Sequence, residues 1–330
     1  MSQFFEALVV FCITSPKVHP TKLANLDWKT RVLSHILAFL PLSTILTNFA
    51  LGFLARIMIT FPNAKINLGL NIVERRPDGY HNLETVFYPI GLTDVLEIVP
   101  ARGSESTLTT YGNRVDCPVE KNLVMKALRL MQQHYEVPEI DIFLYKHIPD
   151  GAGLGGGSSD AASTMLMLND MFHLGIAKEE LARHAATLGA DCPFFIYNKP
   201  MMATGIGDIL VRIDVNLNDM HLLLVKPDVS VPTRVAYSRV TPTPSTSSLE
   251  ADVTKTVSQW SGVVKNDFEP SVFASYPELA TIKKTIENGG ALYASMSGSG
   301  SSVFGIFNDV NMAEKTRDEF PNTTSFVIPL

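Results

Sequence analysis

Residues Pro149–Ser159 read PDGAGLGGGSS, and this glycine-rich stretch decides how the rest of the chain is interpreted. Five of the seven residues from 151 to 157 are glycine, so backbone N–H groups there can turn toward an anion without obstruction by side chains. The preceding run, Asp141–Ile148, has the pattern of a strand, and Ser158–Leu174 has helical spacing. Such a helix adds unpaired N–H donors at its first turn. The pattern predicts a polyphosphate-binding loop between a strand and a helix.

The serines that end the loop have a second expected role. Ser158 or Ser159 would cap the helix through its hydroxyl group, besides donating to a phosphate. Asp160 would then lie favourably near the positive end of the helix. Without its context, the glycine run could also be a flexible turn.

Two common phosphate-binding motifs do not fit this loop. GxxxxGK[ST] does not occur and no lysine follows the glycines, which excludes a Walker A loop. Gly151, Gly153 and Gly156 match the dinucleotide-binding spacing, but a Rossmann unit needs a strand after the helix. A second helix, from about Lys178 to Leu188 and ending at Gly189, is predicted there instead.

Composition and charge narrow the class of protein. The chain has 330 residues, 46% apolar and 18% charged, as in a globular protein with room for two domains. A net charge of −6 gives no reason to expect nucleic acid, or a membrane for the body of the chain, as a partner. Cys12, Cys117 and Cys192 form no CxxC pair, which argues against a zinc site or a disulfide framework and fits the reducing cytoplasm.

The first 57 residues differ from the remainder. They hold five Lys and Arg against two acids, and Ile36–Ala55 carries no charge across twenty residues, about the length that crosses a bilayer. Pro41, Asn48 and several Ser and Thr make that run only moderately apolar. Three interpretations stay open: a start assigned upstream of Met58, a targeting or anchoring segment, or an additional folded helix.

Alternation of residue types predicts the first strand of the body. Between positions 65 and 72, apolar residues alternate with polar residues or glycine, which is the period of a half-buried strand. The apolar face holds Ile66, Leu68, Leu70 and Ile72, and the polar face holds Lys65, Asn67, Gly69 and Asn71. The same reasoning predicts a helix at Asn122–Tyr135 and strands at Thr85–Ile90, Val95–Val99, Ser106–Thr110, His221–Val225, Leu292–Met296 and Val303–Phe307. Thr241–Ser248 is polar and loop-like.

The loop PxGxGLGGGSS resembles the ATP-binding loop of the GHMP kinase superfamily, which includes galactokinase, homoserine kinase and mevalonate kinase. The resemblance runs in order through four motifs, from Met58 to about Phe307. It implies an α+β, two-domain GHMP kinase fold with ATP and Mg²⁺ as cofactors. A ribosomal S5 domain 2-like domain would span residues 58–216 and a ferredoxin-like domain residues 217–330, after an extension at 1–57. The implied ATP-binding residues are Pro149, Gly151, Ala152, Gly153, Leu154, Gly155, Gly156, Gly157, Ser158 and Ser159.

One residue of the loop departs from the family pattern. Asp150 stands where a neutral residue is expected. A carboxylate beside a triphosphate would repel it unless the side chain points away, so this position bears on nucleotide affinity.

The resemblance also implies a catalytic pair. The segments AKINL and LGADCPFF are similar to two motifs of the superfamily, and the catalytic Lys and Asp of those motifs align with Lys65 and Asp191. An Asp can accept the proton of an attacking alcohol, and a nearby Lys can hold that Asp ionised. Taken alone, Lys65 would be an ordinary solvent-facing strand residue, and Asp191 the N-cap of a helix.

A further motif narrows the substrate. Asp78–Leu83, which reads DGYHNL, and the GLGGGSS ending resemble the diphosphocytidyl-methylerythritol kinase branch, in which a Tyr stacks on cytosine and a His reads its edge. Pro232–Tyr237, PTRVAY, resembles the PTxxxF segment of that branch, so its tyrosine would cover the other face of the base. The implied substrate-binding residues are Asn67, Tyr80, His81, Phe87, Thr233 and Tyr237. Without the resemblance, a Tyr-His pair after a turn is usually surface decoration.

The implied reaction moves the γ-phosphoryl group of ATP to the 2-hydroxyl of 4-diphosphocytidyl-2-C-methyl-D-erythritol. The enzyme is expected to be a monomer or a homodimer. A second glycine segment, Ser297–Ser301, resembles a late motif that lies beside the phosphate loop, although it could be a plain hairpin. Two alternatives stay open. The chain could be another GHMP kinase, acting on mevalonate, homoserine or a sugar, or a catalytically silent ATP-binding protein.

Overall fold

The computed structural model describes residues 58–243 and 248–330, and within them the strands form three four-stranded sheets. The first sheet has the order β1-β4-β6-β5, the second β2-β3-β7-β8 and the third β10-β11-β9-β12. All neighbouring strands are antiparallel except β5 and β6. The strands are β1 (Met58–Thr60), β2 (Asn63–Arg75), β3 (His81–Thr93), β4 (Val95–Pro100), β5 (Thr107–Gly112), β6 (Ile140–Lys146), β7 (Met201–Thr204), β8 (Ile209–Arg212), β9 (His221–Lys226), β10 (Tyr293–Met296), β11 (Val303–Phe307) and β12 (Thr324–Pro329).

Helices pack against these sheets and complete the predicted α+β class. The described helices are α1 (Leu123–His134), α2 (Gly156–Met171), α3 (Lys178–Ala186), α4 (Cys192–Tyr197), α5 (Thr233–Arg239), α6 (Leu249–Val253), α7 (Glu269–Ser275), α8 (Pro277–Asn288) and α9 (Val310–Arg317). Short 3₁₀ helices lie at Val119–Lys121 and Val257–Gln259. The predicted segments therefore exist, and apart from Val303–Phe307 their ends differ from the predictions by one to a few residues.

Strand β2 is buried on both faces, so the prediction of a half-buried strand was wrong. Its apolar face lies in the core as expected, but Lys65 and Asn67 on the other face are only 3% and 2% exposed. The glycine loop covers that face, and the backbone N–H of Lys65 donates to the carbonyl oxygen of Leu154 at 2.9 Å. The polar side chains of β2 therefore line an interior wall.

Helix α2 begins earlier than predicted. It starts at Gly156 behind Gly155, whose left-handed φ of 71° turns the chain into the helix without a side-chain cap. Ser158 and Ser159 consequently lie inside the first turn, and neither is the cap. Helix α3 also ends early, at Ala186, with Thr187 in a right-handed conformation rather than Gly189 in a left-handed one.

Three large hydrophobic cores lie within the described residues. The first joins α1–α4 to β4 and β6, and the third joins α7 and α8 to the sheet of β9–β12. The middle core contains residues of β2 and β3 together with β9 and β11, and it also holds Ala152 and Leu154 of the glycine loop. The domain boundary at 216/217 stays a prediction, because this core crosses it.

Two sets of expectations lie outside the described residues. They concern residues 1–57 and the part of the Thr241–Ser248 loop at positions 244–247. Within 58–243 and 248–330, no helix combines the length and the apolar character that crossing a membrane requires.

Candidate active site

A cleft of about 1060 Å³ brings the sequence motifs together. Its walls come from the glycine loop, strands β2 and β3, the segment before α4, the start of α5 and the late glycine segment. Residues far apart in the chain thus face one volume that is large enough for extended ligands.

Along the glycine loop, residues with buried side chains alternate with glycines that line the cleft. Ala152 and Leu154 bury their side chains in the middle core, whereas Gly151, Gly153 and Gly155 line the cleft with φ of 61°, 75° and 71°. A Cβ on Gly153 would lie 2.1 Å from a backbone oxygen of the late glycine segment, which is closer than any side chain allows. Glycine is therefore required there both for conformation and for space.

The other predicted ATP-binding residues surround these three glycines. Gly156, Gly157 and Ser158 form the start of α2, where Gly157 is exposed, Gly156 and Ser158 are half-buried, and the following Ser159 is buried. Pro149 enters the loop half-buried. Asp150 is exposed and does not line the cleft, so its carboxylate is not among the groups that face the cleft volume.

The late glycine segment, Ser297–Ser301, packs against the phosphate loop. Its resemblance to the late family motif predicted this position. The Ser297 hydroxyl donates to the Gly153 carbonyl oxygen at 2.9 Å, and the Ser302 N–H donates to the Ala152 carbonyl oxygen at 3.3 Å. Gly298, Ser299 and Gly300 line the cleft next to the loop.

Asn266 holds this segment in place, a role that the sequence did not reveal. Its buried carboxamide nitrogen donates to the carbonyl oxygens of Met296 and Gly298, both at 2.8 Å. Its oxygen accepts the N–H of Phe268 at 3.0 Å. These partners are distant in the chain, so only the fold shows which carbonyl groups Asn266 meets.

Lys65 and Asp191 meet at the floor of the cleft. The Lys65 Nζ lies 3.5 Å from the Asp191 Oδ2, and it donates to the Asn67 Oδ1 at 2.7 Å and the Gly153 carbonyl oxygen at 3.0 Å. Burial lowers the Lys65 pKa, and the Asp191 carboxylate partly opposes that shift. The ammonium group also lies 5.1 Å from the centre of the Phe87 ring. Lys65 is thus not the solvent-facing residue that strand alternation alone suggests.

Asp191 leaves its carboxylate available to the cleft. It occupies the N-cap position of α4 but makes no capping hydrogen bond, and its side chain is 35% exposed. The capping interpretation of this residue is therefore wrong for the side chain. Its oxygen atoms remain able to accept a proton or a hydrogen bond from a ligand.

Asn67 is fixed by a chain of hydrogen bonds across β2 and β3. Its nitrogen donates to the Thr85 hydroxyl at 2.9 Å, which donates in turn to the Gly69 carbonyl oxygen. This orients the Asn67 oxygen toward Lys65.

Aromatic rings form the other end of the cleft. The His81 and Tyr237 rings stack with centroids 5.3 Å apart at an interplanar angle of 28°, and Phe268 supports Tyr237 edge-on at 4.8 Å. Tyr80 is 62% exposed at the rim, and Thr233 lies with its hydroxyl 3.2 Å from that of Ser299. In this structure Tyr237 therefore faces His81, and its stacking opposite Tyr80 around a base stays a prediction.

Burial shifts the pKa of both side chains in this stack. Burial, followed by the charge of Arg75, lowers the His81 pKa, which favours the neutral imidazole with one donor and one acceptor. Burial also raises the pKa of Tyr237 to about 12, with the Asp191 charge adding to the shift, so its hydroxyl stays protonated.

A second Lys–Asp cluster lies behind the glycine loop and was not predicted. Lys146 Nζ contacts Asp94 and lies 2.7 Å from the Asp160 Oδ2, and all three side chains are buried. The Asp94 carboxylate also accepts the N–H groups of His147 and Ile148 at 2.6 and 2.8 Å. The cluster fixes the backbone where it enters the loop.

Comparison with known proteins identifies the family. Family models described as GHMP kinases N terminal domain and GHMP kinases C terminal match residues 122–199 and 255–323. A protein of Bacteroides fragilis (strain YCH46) named 4-diphosphocytidyl-2-C-methyl-D-erythritol kinase is 54% identical over 253 residues, or 76% of this chain and 92% of that protein. A protein of the same name from Porphyromonas gingivalis is 45% identical over 260 residues, or 78% of this chain and 95% of that protein.

Solved structures agree with this assignment. A crystal structure of 4-(cytidine 5'-diphospho)-2C-methyl-D-erythritol kinase superposes with a TM-score of 0.71 at 31% identity, covering 82% of this chain and 98% of the other. A homoserine kinase from Cytophaga hutchinsonii, with a TM-score of 0.60 at 20% identity over 81% of this chain and 93% of the other, shows the shared fold alone. The chain therefore belongs to the 4-diphosphocytidyl-2-C-methyl-D-erythritol kinase family of the GHMP kinases.

Proposed function

We propose that the protein transfers the γ-phosphoryl group of ATP to the 2-hydroxyl of 4-diphosphocytidyl-2-C-methyl-D-erythritol, a step of the non-mevalonate isoprenoid pathway. The observation that carries this proposal is the Lys65–Asp191 pair, which faces a cleft walled by a glycine loop on one side and stacked aromatic rings on the other. The loop suits a triphosphate, and the rings suit a nucleobase.

The glycine loop would hold the nucleotide. Backbone N–H groups between Pro149 and Ser159, with the first turn of α2, would surround the triphosphate. Magnesium would arrive as MgATP, which takes most of its ligands from phosphates and water. In the described ranges, 58–243 and 248–330, no three His, Cys, Asp or Glu side chains cluster as a metal site.

Asp191 would act as general base. The acceptor oxygen attacks the γ-phosphorus, the bond to the bridging oxygen of ADP breaks, and the hydroxyl proton passes to the Asp191 carboxylate. Lys65, 3.5 Å away, would pair with that carboxylate and offset negative charge on the transferred group.

The aromatic end would bind the cytidyl group. A neutral His81 could read the edge of cytosine, while Tyr80 and Tyr237 provide faces for stacking. Phe87, close to the Lys65 ammonium, would contact the methylerythritol end, and Asn67 and Thr233 would complete the contacts.

A substrate panel tests this function. ADP release by the full chain should depend on 4-diphosphocytidyl-2-C-methyl-D-erythritol and be absent or far slower with mevalonate, homoserine or galactose. Turnover of one of the latter would instead identify another GHMP kinase. Bound ATP without turnover of any alcohol would indicate a silent ATP-binding protein.

Two wider expectations accompany the proposal. The cytoplasm stays the proposed compartment, because Cys117 and Cys192 are unpaired thiols. Sedimentation of the purified chain would distinguish the monomer from the homodimer, both of which the proposed site allows.

A further inference from the structure

The cleft carries more positive charge than its catalytic pair accounts for. Among the described residues that line it, the cationic side chains are Lys65, Arg75 and Arg234, and the only carboxylate is Asp191. Both substrates of the proposed reaction are anions, so these cations have expected counterions in the ligands.

The three cations are not equally available. Lys65 is held by Asp191, Asn67 and the Gly153 carbonyl oxygen. Across residues 58–243 and 248–330, neither Arg75 nor Arg234 forms an ion pair, and both are exposed at the cleft.

Neighbouring arginines differ from these two. Arg76 pairs with Asp78 at 2.7 Å, and Arg239 donates to the Ser275 hydroxyl. Neither of them lines the cleft. Of these four arginines, the two that face the ligand volume are the two without a partner among the described residues.

One arginine stands beside each ring of the aromatic stack. Arg75 is the cross-strand partner of His81 in the β2–β3 register, and its charge contributes to the lowered His81 pKa. Arg234 lies three residues before Tyr237 in α5, on the same helix face, and next to Thr233, which contacts the late glycine segment.

We propose that Arg75 and Arg234 bind the diphosphate of the cytidyl substrate, an inference that rests on the proposed function. The diphosphate joins the ribose of cytidine to the acceptor alcohol, so it must lie between the ring stack and Asp191. A guanidinium group offers paired donors for phosphate oxygens, and the resulting charge-assisted hydrogen bonds are stronger than neutral ones. The triphosphate of ATP would use backbone N–H groups instead, which separates the two anion sites.

Calorimetry with cytidine and CDP tests this assignment. Titrations are made with saturating ADP present, so that the glycine loop is occupied and CDP binds only at the cytidyl site. Arg75→Ala and Arg234→Ala should each weaken CDP binding by about tenfold and leave cytidine binding within about twofold. Arg234→Lys should retain part of the CDP affinity because it keeps the charge.

A matched control is Arg239→Ala, which removes an arginine from the same helix as Arg234 but away from the cleft. It should bind CDP like the wild type. In turnover assays, the two cleft variants should raise KM for the cytidyl substrate by about tenfold and leave KM for ATP unchanged.

The outcomes separate the inference from the function on which it rests. If the wild type binds CDP and both alanine variants bind it equally well, the diphosphate assignment is wrong and the kinase proposal stands. Equal losses for CDP and cytidine also overturn it, because they indicate damage to the base site. If the wild type binds neither ligand, the cytidyl substrate and the inference both fail.

Discussion

Two groups of Lys and Asp residues contact the glycine loop or the strand that leads into it, and they differ in the number and exposure of their carboxylates. Lys65 and Asp191 are 3.5 Å apart, and the carboxylate is partly exposed to the cleft. Lys146 contacts both Asp94 and Asp160, and the whole cluster is buried.

The pKa values of the two lysines shift in opposite directions because the lysines contact different numbers of carboxylates. Burial lowers the Lys65 pKa, because a single carboxylate at 3.5 Å does not compensate for lost hydration. Burial also lowers the Lys146 pKa, but the charges and hydrogen bonds of Asp160 and Asp94 outweigh it and raise the pKa overall. The same residue types thus form a pair with a partly exposed carboxylate at the cleft and a fully buried structural cluster at the entry to the glycine loop.

Removing the proposed general base should have the largest effect. Asp191→Asn is expected to lower kcat by about 10²–10⁴-fold, because the amide cannot accept the hydroxyl proton. KM for ATP and the melting temperature should change little, since Asp191 forms no capping hydrogen bond. Steady-state kinetics and thermal denaturation measure both quantities. A kcat within threefold of the wild type would remove Asp191 from the mechanism.

The double variant sharpens this result. Lys65→Ala with Asp191→Asn should lose little more activity than Asp191→Asn alone, because residues that act as a unit are not additive. Fully additive losses would show that the two side chains act independently.

The buried cluster should respond in the opposite way. Asp94→Ala leaves Lys146 with one partner and removes the acceptor for two backbone N–H groups. The free energy of unfolding should fall by roughly 3–5 kcal/mol, as expected when a buried ion pair is broken. Urea unfolding measures this value. A loss below about 1 kcal/mol would contradict the structural role.

The pH dependence of stability provides a finer test. Burial raises the pKa of Asp160 to about 8; the Lys146 charge opposes this shift and the Asp94 charge adds to it. Between about pH 4 and about pH 8 the folded Lys146–Asp94–Asp160 cluster then holds a proton that the unfolded state releases, and its two carboxyl groups together carry one negative charge. Stability from this group is complete at low pH and is lost as the pH rises toward 8, with a slope of at most about 1.4 kcal/mol per pH unit.

Asp160→Asn should remove that slope, because an amide does not ionise. The difference in unfolding free energy between variant and wild type, measured by urea unfolding from pH 5 to pH 8.5, should grow in favour of the variant. A difference that stays constant across this range would show that Asp160 is ionised throughout.

An exposed pair should show the smallest effect. Arg114 and Asp116 lie 3.3 Å apart with side chains 87% and 90% exposed, so water screens their attraction. Asp116→Ala should leave unfolding free energy and kcat unchanged within error. A measurable loss would mean that solvent exposure does not distinguish surface pairs from structural pairs in this chain.

Local features of the fold were predictable from the sequence. The strand Val303–Phe307 agrees with its prediction at both ends. Val95–Pro100 is one residue longer than predicted, and Leu123–His134 is one residue shorter at each end. These elements depend on neighbouring residues, since periodicity is a local property. The α+β class and the family followed from motifs of the same local kind.

Contacts between distant segments were not predictable in this way. Lys146 and Asp94 are separated by 52 positions, and nothing in the local pattern of either residue marks it as buried. The same holds for Asn266, whose partners lie 30 and 32 positions away. The predicted serine cap failed because the left-handed turn at Gly155 starts the helix two residues early.

The sequence by itself determined which residues can perform the chemistry: a run of glycines that frees backbone donors, a lysine on a strand and an aspartate before a helix. The tertiary structure alone decided that these residues share one cleft, that Lys65 is buried beside Asp191, and that Tyr237 stacks on His81. The physical reason is that burial and charge pairing depend on three-dimensional distance, whereas motifs depend only on order along the chain.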